Sequence, residues 1–325
     1  MIVKRIEYGL LLGVVFCIMI VAALCAGCTS STQNPATPAA TATAQPTATT
    51  AMSTETPIAT PVTTAGIPTT TAPAVTATPA PSYTPSEKTL VVYTAASLKG
   101  ASKELGSKFA EVYPGHTVVF NLDGTQALKT QVENGAYADV FISASNSYTS
   151  TLQKEGYFVN SSVKPLTTNY VIVILPASNP GNIMSLKDLA TPGKKIDMAA
   201  NSVPVGTATY TVLSNLAKST YGADWNKSVF GNVVSYETAE PSVATKVSLG
   251  EVDAGFVYES TYNAATPGTL TAISIPKSDN YLQTYSIAVM QETQNSGVAN
   301  EFETFMLTPG LGQQILKDYG FRPVS

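Results

Sequence analysis

From Thr89 onward the chain alternates short β-branched or aromatic runs with helix-like stretches: "TLVVYT", "ASLKGASKELGSKFAEVY", "HTVVFNL", "TQALKTQVENG" and "DVFISA". Parallel strands need a crossover long enough to hold a helix, so this rhythm predicts βαβ units on a largely parallel sheet. In the first helix Leu98, Leu105 and Phe109 form one stripe, with Lys99, Lys103 and Glu104 off it. That stripe is expected to pack on the sheet and leave the start of the helix free.

Two long strand-like runs interrupt the alternation, "TTNYVIVILPASNPG" at 167–181 and "NYLQTYSIAVM" at 280–290. Between them lie further units, including "KKIDMAAN", "VGTATYTVLSNLAKSTYG", "GNVVSY", "EPSVATKVSLGE" and "VDAGFVYES"; after the second run come only helices. The pattern predicts an α/β chain of two lobes, 89–168 plus 288–325 and 169–287, joined by two crossing strands. Open sheets of this kind bind ligands in the crevice outside the carboxyl ends of their strands.

Residues 1–28 read as an export signal: Lys4 and Arg5, an apolar run, then small residues before Cys28. The ending "LCAGC" resembles a lipobox, which would make Cys28 the lipidated first residue of the mature chain. A retained membrane helix is the other reading, since about 20 apolar residues span a bilayer. Residues 29–88, rich in Thr, Pro and Ala and nearly free of charge, cannot build a core and are expected to be a disordered stalk. Asn160 and Asn226 begin N-glycosylation tripeptides.

Composition removes several classes of function. A net charge of -4 without a basic stripe argues against a nucleic-acid partner. All three cysteines lie at or before Cys28 and the single histidine is His116, which removes a Cys/His metal site and both Cys-His and Ser-His-Asp catalysis. No Gly-rich nucleotide loop or spaced carboxylate pair is present, so an enzyme is not expected, and neither is a cofactor.

Four segments end a strand and begin a helix so as to bare backbone N–H groups: "TAAS" at 94–97, "LDGT" at 122–125, "SVPVG" at 202–206 and "YETAEPS" at 236–242. The start of a helix carries about half a positive charge and can hold an anion without lysine or arginine. Ser97 and Thr125 add hydroxyls, although either could be a plain N-cap. Tyr258 could serve the ligand or the core, and Asp139 and Asp253 are expected to begin buried strands and bond locally.

The segments "AASLKGASKELGSKF", "QVENGAYADVFISAS", "SVPVGTATYTVL", "KVSLGEVDAGFVYES" and "QQILKDYGF", in this order between Thr89 and Phe321, resemble the molybdate-binding component of ABC transporters. That resemblance implies a type II periplasmic-binding-protein fold, a ligand cleft between the lobes, and a molybdate or tungstate oxyanion held by neutral donors. It also implies delivery to an ABC permease from the outer face of the cell membrane; a monomer is expected. By position, Ser97 gives hydroxyl and amide, Thr125 stands for a second serine, Val205 offers its amide, and Tyr258 its hydroxyl. Glu240, eighteen residues before Tyr258, stands where bacterial relatives place an apolar residue, so its amide is expected to serve and its side chain to turn outward. Some archaeal relatives use carboxylates there to complete coordination around the metal, paired with an aspartate near the position of Val205, which this chain lacks. Asp123, beside Thr125, raises the same question. The rivals are a phosphate or sulfate binder, with Asp123 or Glu240 accepting the phosphate proton, a tyrosine-ligated ferric iron binder, and a stalked adhesion or sensing domain.

Overall fold

A computed structural model describes residues 81 and 83–324. The expected signal, the lipidation site at Cys28 and nearly all of the expected stalk lie outside these residues. Packing reaches back past Lys88: Tyr83 meets Tyr93 edge-on at 6.3 Å, and Asn295 Nδ2 donates to Ser86 O at 2.9 Å.

In chain order the main elements are β1 (Thr89–Ala95), α1 (Lys99–Val112), β2 (Thr117–Asp123), α2 (Thr125–Glu133), β3 (Val140–Ser143), α3 (Asn146–Lys154), β4 (Lys164–Pro176), β5 (Ile196–Ala199), α4 (Pro204–Leu216), α5 (Ala223–Gly231), β6 (Val233–Glu237), α6 (Glu240–Ser248), β7 (Ala254–Tyr258), α7 (Glu259–Asn263), β8 (Leu270–Ser274), β9 (Leu282–Val289), α8 (Ser296–Leu307) and α9 (Gly312–Asp318). A short 3-10 turn, Ala96–Leu98, joins β1 to α1.

The strands run β2-β1-β3-β9-β4-β7-β5-β6, with β8 on β4. The first group is parallel, with Val92 beside both Phe120 and Val140, and β5 is parallel to both β6 and β7. The long strand β4 belongs to both groups, and β9 lies between β3 and β4 in the first. β4 pairs with β9 through residues 164–170, then with β7 and β8 from Val171 or Ile172 onward. The expected lobe boundaries, 168/169 and 287/288, fall within these two strands.

Burial follows the helix stripe: Leu98, Leu105 and Phe109 are all buried. Phe109 also packs edge-on against Phe302 and Phe305 of α8, at 5.1 and 5.6 Å, which docks the last helices on the first lobe. Asp139 and Asp253 differ from expectation in that each bonds far along the chain. Asp139 accepts from Val91 N–H and Thr293 Oγ1, and Asp253 from Lys195 N–H. A buried carboxylate at a strand start must find donors, and the adjoining strands supply them.

Candidate functional site

β1, β2, β5, β6 and β7 all end at one small cavity, about 220 Å³ of empty space, walled by Ala95 to Ser97, Gly124, Thr125, Ala144, Val203 to Val205, Glu240 and Tyr258. Ser97, Thr125, Val205, Glu240 and Tyr258, which lie on separate units in sequence, all line it, and each is 5% exposed or less. So small a space suits one compact species rather than an extended molecule.

Thr125 is the first residue of α2, and its Oγ1 accepts from Ala144 N–H at 3.1 Å. With that lone pair engaged, the hydroxyl hydrogen is free to point elsewhere. Val205 is the second residue of α4, after Pro204, so its N–H belongs to the first turn that a helix leaves without an internal partner. The helix sits tight on the strand end: a Cβ on Gly206 would lie 2.0 Å from Ala200 O and 2.6 Å from Ala199 O. Asp123 is absent from the cavity wall and accepts from Gly124 N–H at 2.7 Å; burial raises its carboxyl pKa, opposed by that bond.

Ser97 departs from its expected role as a cap. No side chain caps the turn or α1, and Ser97 Oγ instead lies 2.8 Å from Tyr285 Oη. The 3-10 turn places the serine one residue ahead of the position a cap would occupy, facing the crossing strand. Tyr258 Oη donates to Gln283 Oε1 over a long 3.3 Å, and its ring meets Tyr285 edge-on at 6.0 Å. Burial holds both phenols well above the ordinary tyrosine range.

Glu240 also corrects the sequence reading. It begins α6 as its place in the chain implies, but its side chain turns inward and is buried. Its Oε1 accepts from Tyr258 N–H and from Thr261 Oγ1, each at 2.7 Å. A carboxylate turned outward would leave that strand-end N–H buried and unpaired, a cost of about 1–3 kcal/mol. Burial pushes the carboxyl up to about 7, against the opposing pull of these two donors.

No lysine or arginine lines the cavity. Its positive character comes from the first turns of α2, α4 and α6. Two hydrogen bonds join the lobes from residues next to the wall or on α3: Gln126 Nε2 donates to Thr238 O at 2.8 Å, and Tyr148 Oη to Ser202 O at 2.7 Å. A larger groove, about 1020 Å³ of empty space, shares Ala96 and Ser97 with the cavity, and its wall mixes alanine and leucine side chains with Lys99 and the hydroxyls of Thr245, Ser248, Thr261, Thr266 and Thr269.

Sequence reading missed Tyr285, Gln283, Gln126 and Tyr148. The first two carried a signal: alternation along β9 puts Gln283, Tyr285 and Ile287 on one face, and two of these bring polar tips to a buried side of the strand.

Residues 90–322 match the family model for bacterial extracellular solute-binding protein. The molybdate-binding protein of Mycobacterium tuberculosis is 32% identical over 239 residues, covering 73% of this chain and 86% of that protein. The substrate-binding domain of a putative molybdenum ABC transporter from Clostridium difficile superposes with a TM-score of 0.57 at 28% identity, over 73% of this chain and 99% of the other. The periplasmic molybdate-binding protein of Azotobacter vinelandii superposes with a TM-score of 0.63 at 23% identity, over 73% and 100%.

Proposed function

The chain belongs to the family of bacterial extracellular solute-binding proteins, and from that premise we propose that it captures molybdate or tungstate in the inter-lobe cavity and delivers it to an ABC permease. The fold is the α/β type II periplasmic-binding-protein fold, and the family binds solutes outside the cytoplasm rather than transforming them.

The observation that supports this reading best is the convergence of neutral donors on a cavity without a cation. Ser97 and Thr125 offer hydroxyls, Val205 and Glu240 offer first-turn amides, and Tyr258 a phenol that would give up its long bond to Gln283 for the anion. Such a set favours an anion that only accepts hydrogen bonds, and hydrogen bonds to an ionised acceptor are worth about 1.5–3 kcal/mol each. Relatives that bind molybdate support the choice of anion. Anchoring at the outer membrane face, through lipid on Cys28 or an N-terminal helix, and action as a monomer belong to the same proposal.

Titration calorimetry on the full chain in detergent tests it. Molybdate and tungstate should release heat with one site per chain, while sulfate and phosphate give little. At a hundred times its dissociation constant the bound ion should add about 2.7 kcal/mol of stability, read as a higher Tm. Phosphate or ferric iron binding without molybdate or tungstate binding would overturn the assignment.

A further inference from the structure

Glu240 is an acidic side chain in the wall of a cavity proposed to hold a dianion, and that conflict needs a resolution. Its Oε1 is committed to Tyr258 N–H and Thr261 Oγ1, while Oε2 takes no hydrogen bond among the described residues. We propose that Glu240 is a proton-carrying donor in which the neutral carboxyl, fixed through Oε1, gives its Oε2 hydrogen to the bound oxyanion, so that anion capture is accompanied by uptake of one proton. This rests on the anion reading of the cavity above.

The surroundings permit the neutral form. Tyr258 at the end of β7 and Tyr285 on β9 are the titratable groups facing Glu240, and both are uncharged, held well above their ordinary range. From α7 comes Thr261, while Glu259 of that helix pairs with Arg322 at 2.6 Å. Lys246 of α6 is engaged by Glu237, and Lys99, in the adjoining groove, is exposed. No cation therefore holds the carboxylate charged. Its carboxyl at about 7 leaves the proton available at neutral pH.

The balance is simple: carboxylate, solvent proton and free dianion become a neutral carboxyl hydrogen-bonded to the bound dianion. Affinity must then fall as pH rises past the carboxyl pKa, because only the protonated fraction is competent. With that value at about 7, the dissociation constant for molybdate should rise about thirty-fold between pH 6 and 8.5. Selectivity follows as well, since a neutral carboxyl suits molybdate, tungstate or sulfate, whereas an ionised one would accept from the hydroxyl of hydrogen phosphate.

The test is calorimetric titration of the full chain with molybdate across pH 6–8.5, for the native protein and for Glu240→Gln. The amide keeps a donor at that position and cannot titrate, so its affinity should be flat across the range and should exceed the native value at pH 8.5. Native affinity that is flat or rises with pH, together with loss of binding in Glu240→Gln, would mean that the charged carboxylate meets the metal, and would overturn the proton role while leaving the anion reading intact. An equal pH dependence in both proteins would also overturn it. Phosphate binding that strengthens above pH 8 without molybdate binding, or no oxyanion binding at any pH, would overturn the anion reading itself.

Discussion

Ser97 Oγ and Tyr285 Oη, 2.8 Å apart, join the first lobe to a crossing strand beneath the cavity. Ser97→Ala should raise the dissociation constant for molybdate about ten- to a hundred-fold through loss of one bond to an ionised acceptor, and cost about 1 kcal/mol of stability through the phenol. A stability loss with unchanged affinity would assign the serine to structure alone. For Glu240, magnitudes decide which charge state accompanies the anion. Repulsion between unit charges about 4 Å apart is about 4 kcal/mol at an effective dielectric of about 20, whereas protonating a group one unit above its pKa costs about 1.4 kcal/mol. Near neutral pH protonation is the smaller cost.

Asp197 is also fully buried, and both its carboxylate oxygens lack partners among the described residues. Burial, then the charge of Glu237, pushes it up to about 6, against the pull of Lys246. Because the folded-state value is raised above the ordinary 3.8, the stability linked to this group is present below about pH 4 and lost as pH rises through 6. Asp197→Asn should therefore raise Tm relative to the native protein at pH 8 and not at pH 4, by roughly 2–4 °C for each kcal/mol. Equal shifts at both pH values would contradict the assignment. Ser97, Thr125 and Val205 were legible as wall residues because each stands at a strand-to-helix junction, and Tyr258 through the family resemblance. The inward turn of Glu240 was not, since it depends on the donors Tyr258 N–H and Thr261, which only the fold brings within reach.

At the scale of elements, strand ends followed at once by helix starts do most of the placing. α4 shows how little slack exists: a methyl on Gly206 would collide with the carbonyls of Ala199 and Ala200. Gly206→Ala should push the first turn away from the cavity, cost about 1–3 kcal/mol as other overpacking does, and weaken molybdate binding beyond what a calorimetric stability loss explains. Unchanged affinity would mean that the amide of Val205 is not used. Most strands and α1, α2, α4, α6, α8 and α9 could be read from alternation and helical stripes. α3 was not marked: in "NSYTSTLQK" hydroxyl residues that compete for backbone bonds replace an apolar stripe. In the fold they bond back along the helix, Thr149 Oγ1 to Ser145 O and Thr151 Oγ1 to Ser147 O.

For the molecule as a whole, β4 runs through both strand groups with β9 beside it, while Gln126 and Tyr148 bond from one lobe to the other. The crossing strands were visible as two long apolar runs, whereas the two bridging side chains sit on helix faces with no pattern to mark them. Hinge closure of this kind is a common response to a ligand between lobes. Tyr148→Phe should speed molybdate release about two- to ten-fold, one ordinary hydrogen bond, with little change in the association rate. Stopped-flow release kinetics reads this, and an unchanged release rate would remove that bond from the closure mechanism.

One oxyanion is proposed to sit among Ser97, Thr125, Val205, Glu240 and Tyr258. Anomalous diffraction from crystals of the protein grown with tungstate locates the metal directly. One strong peak is expected in this cavity, with oxygens in hydrogen-bond reach of Ser97 Oγ, Thr125 Oγ1, the Val205 and Glu240 amides and Tyr258 Oη. A peak elsewhere, in the adjoining groove for instance, with this cavity empty, would contradict it.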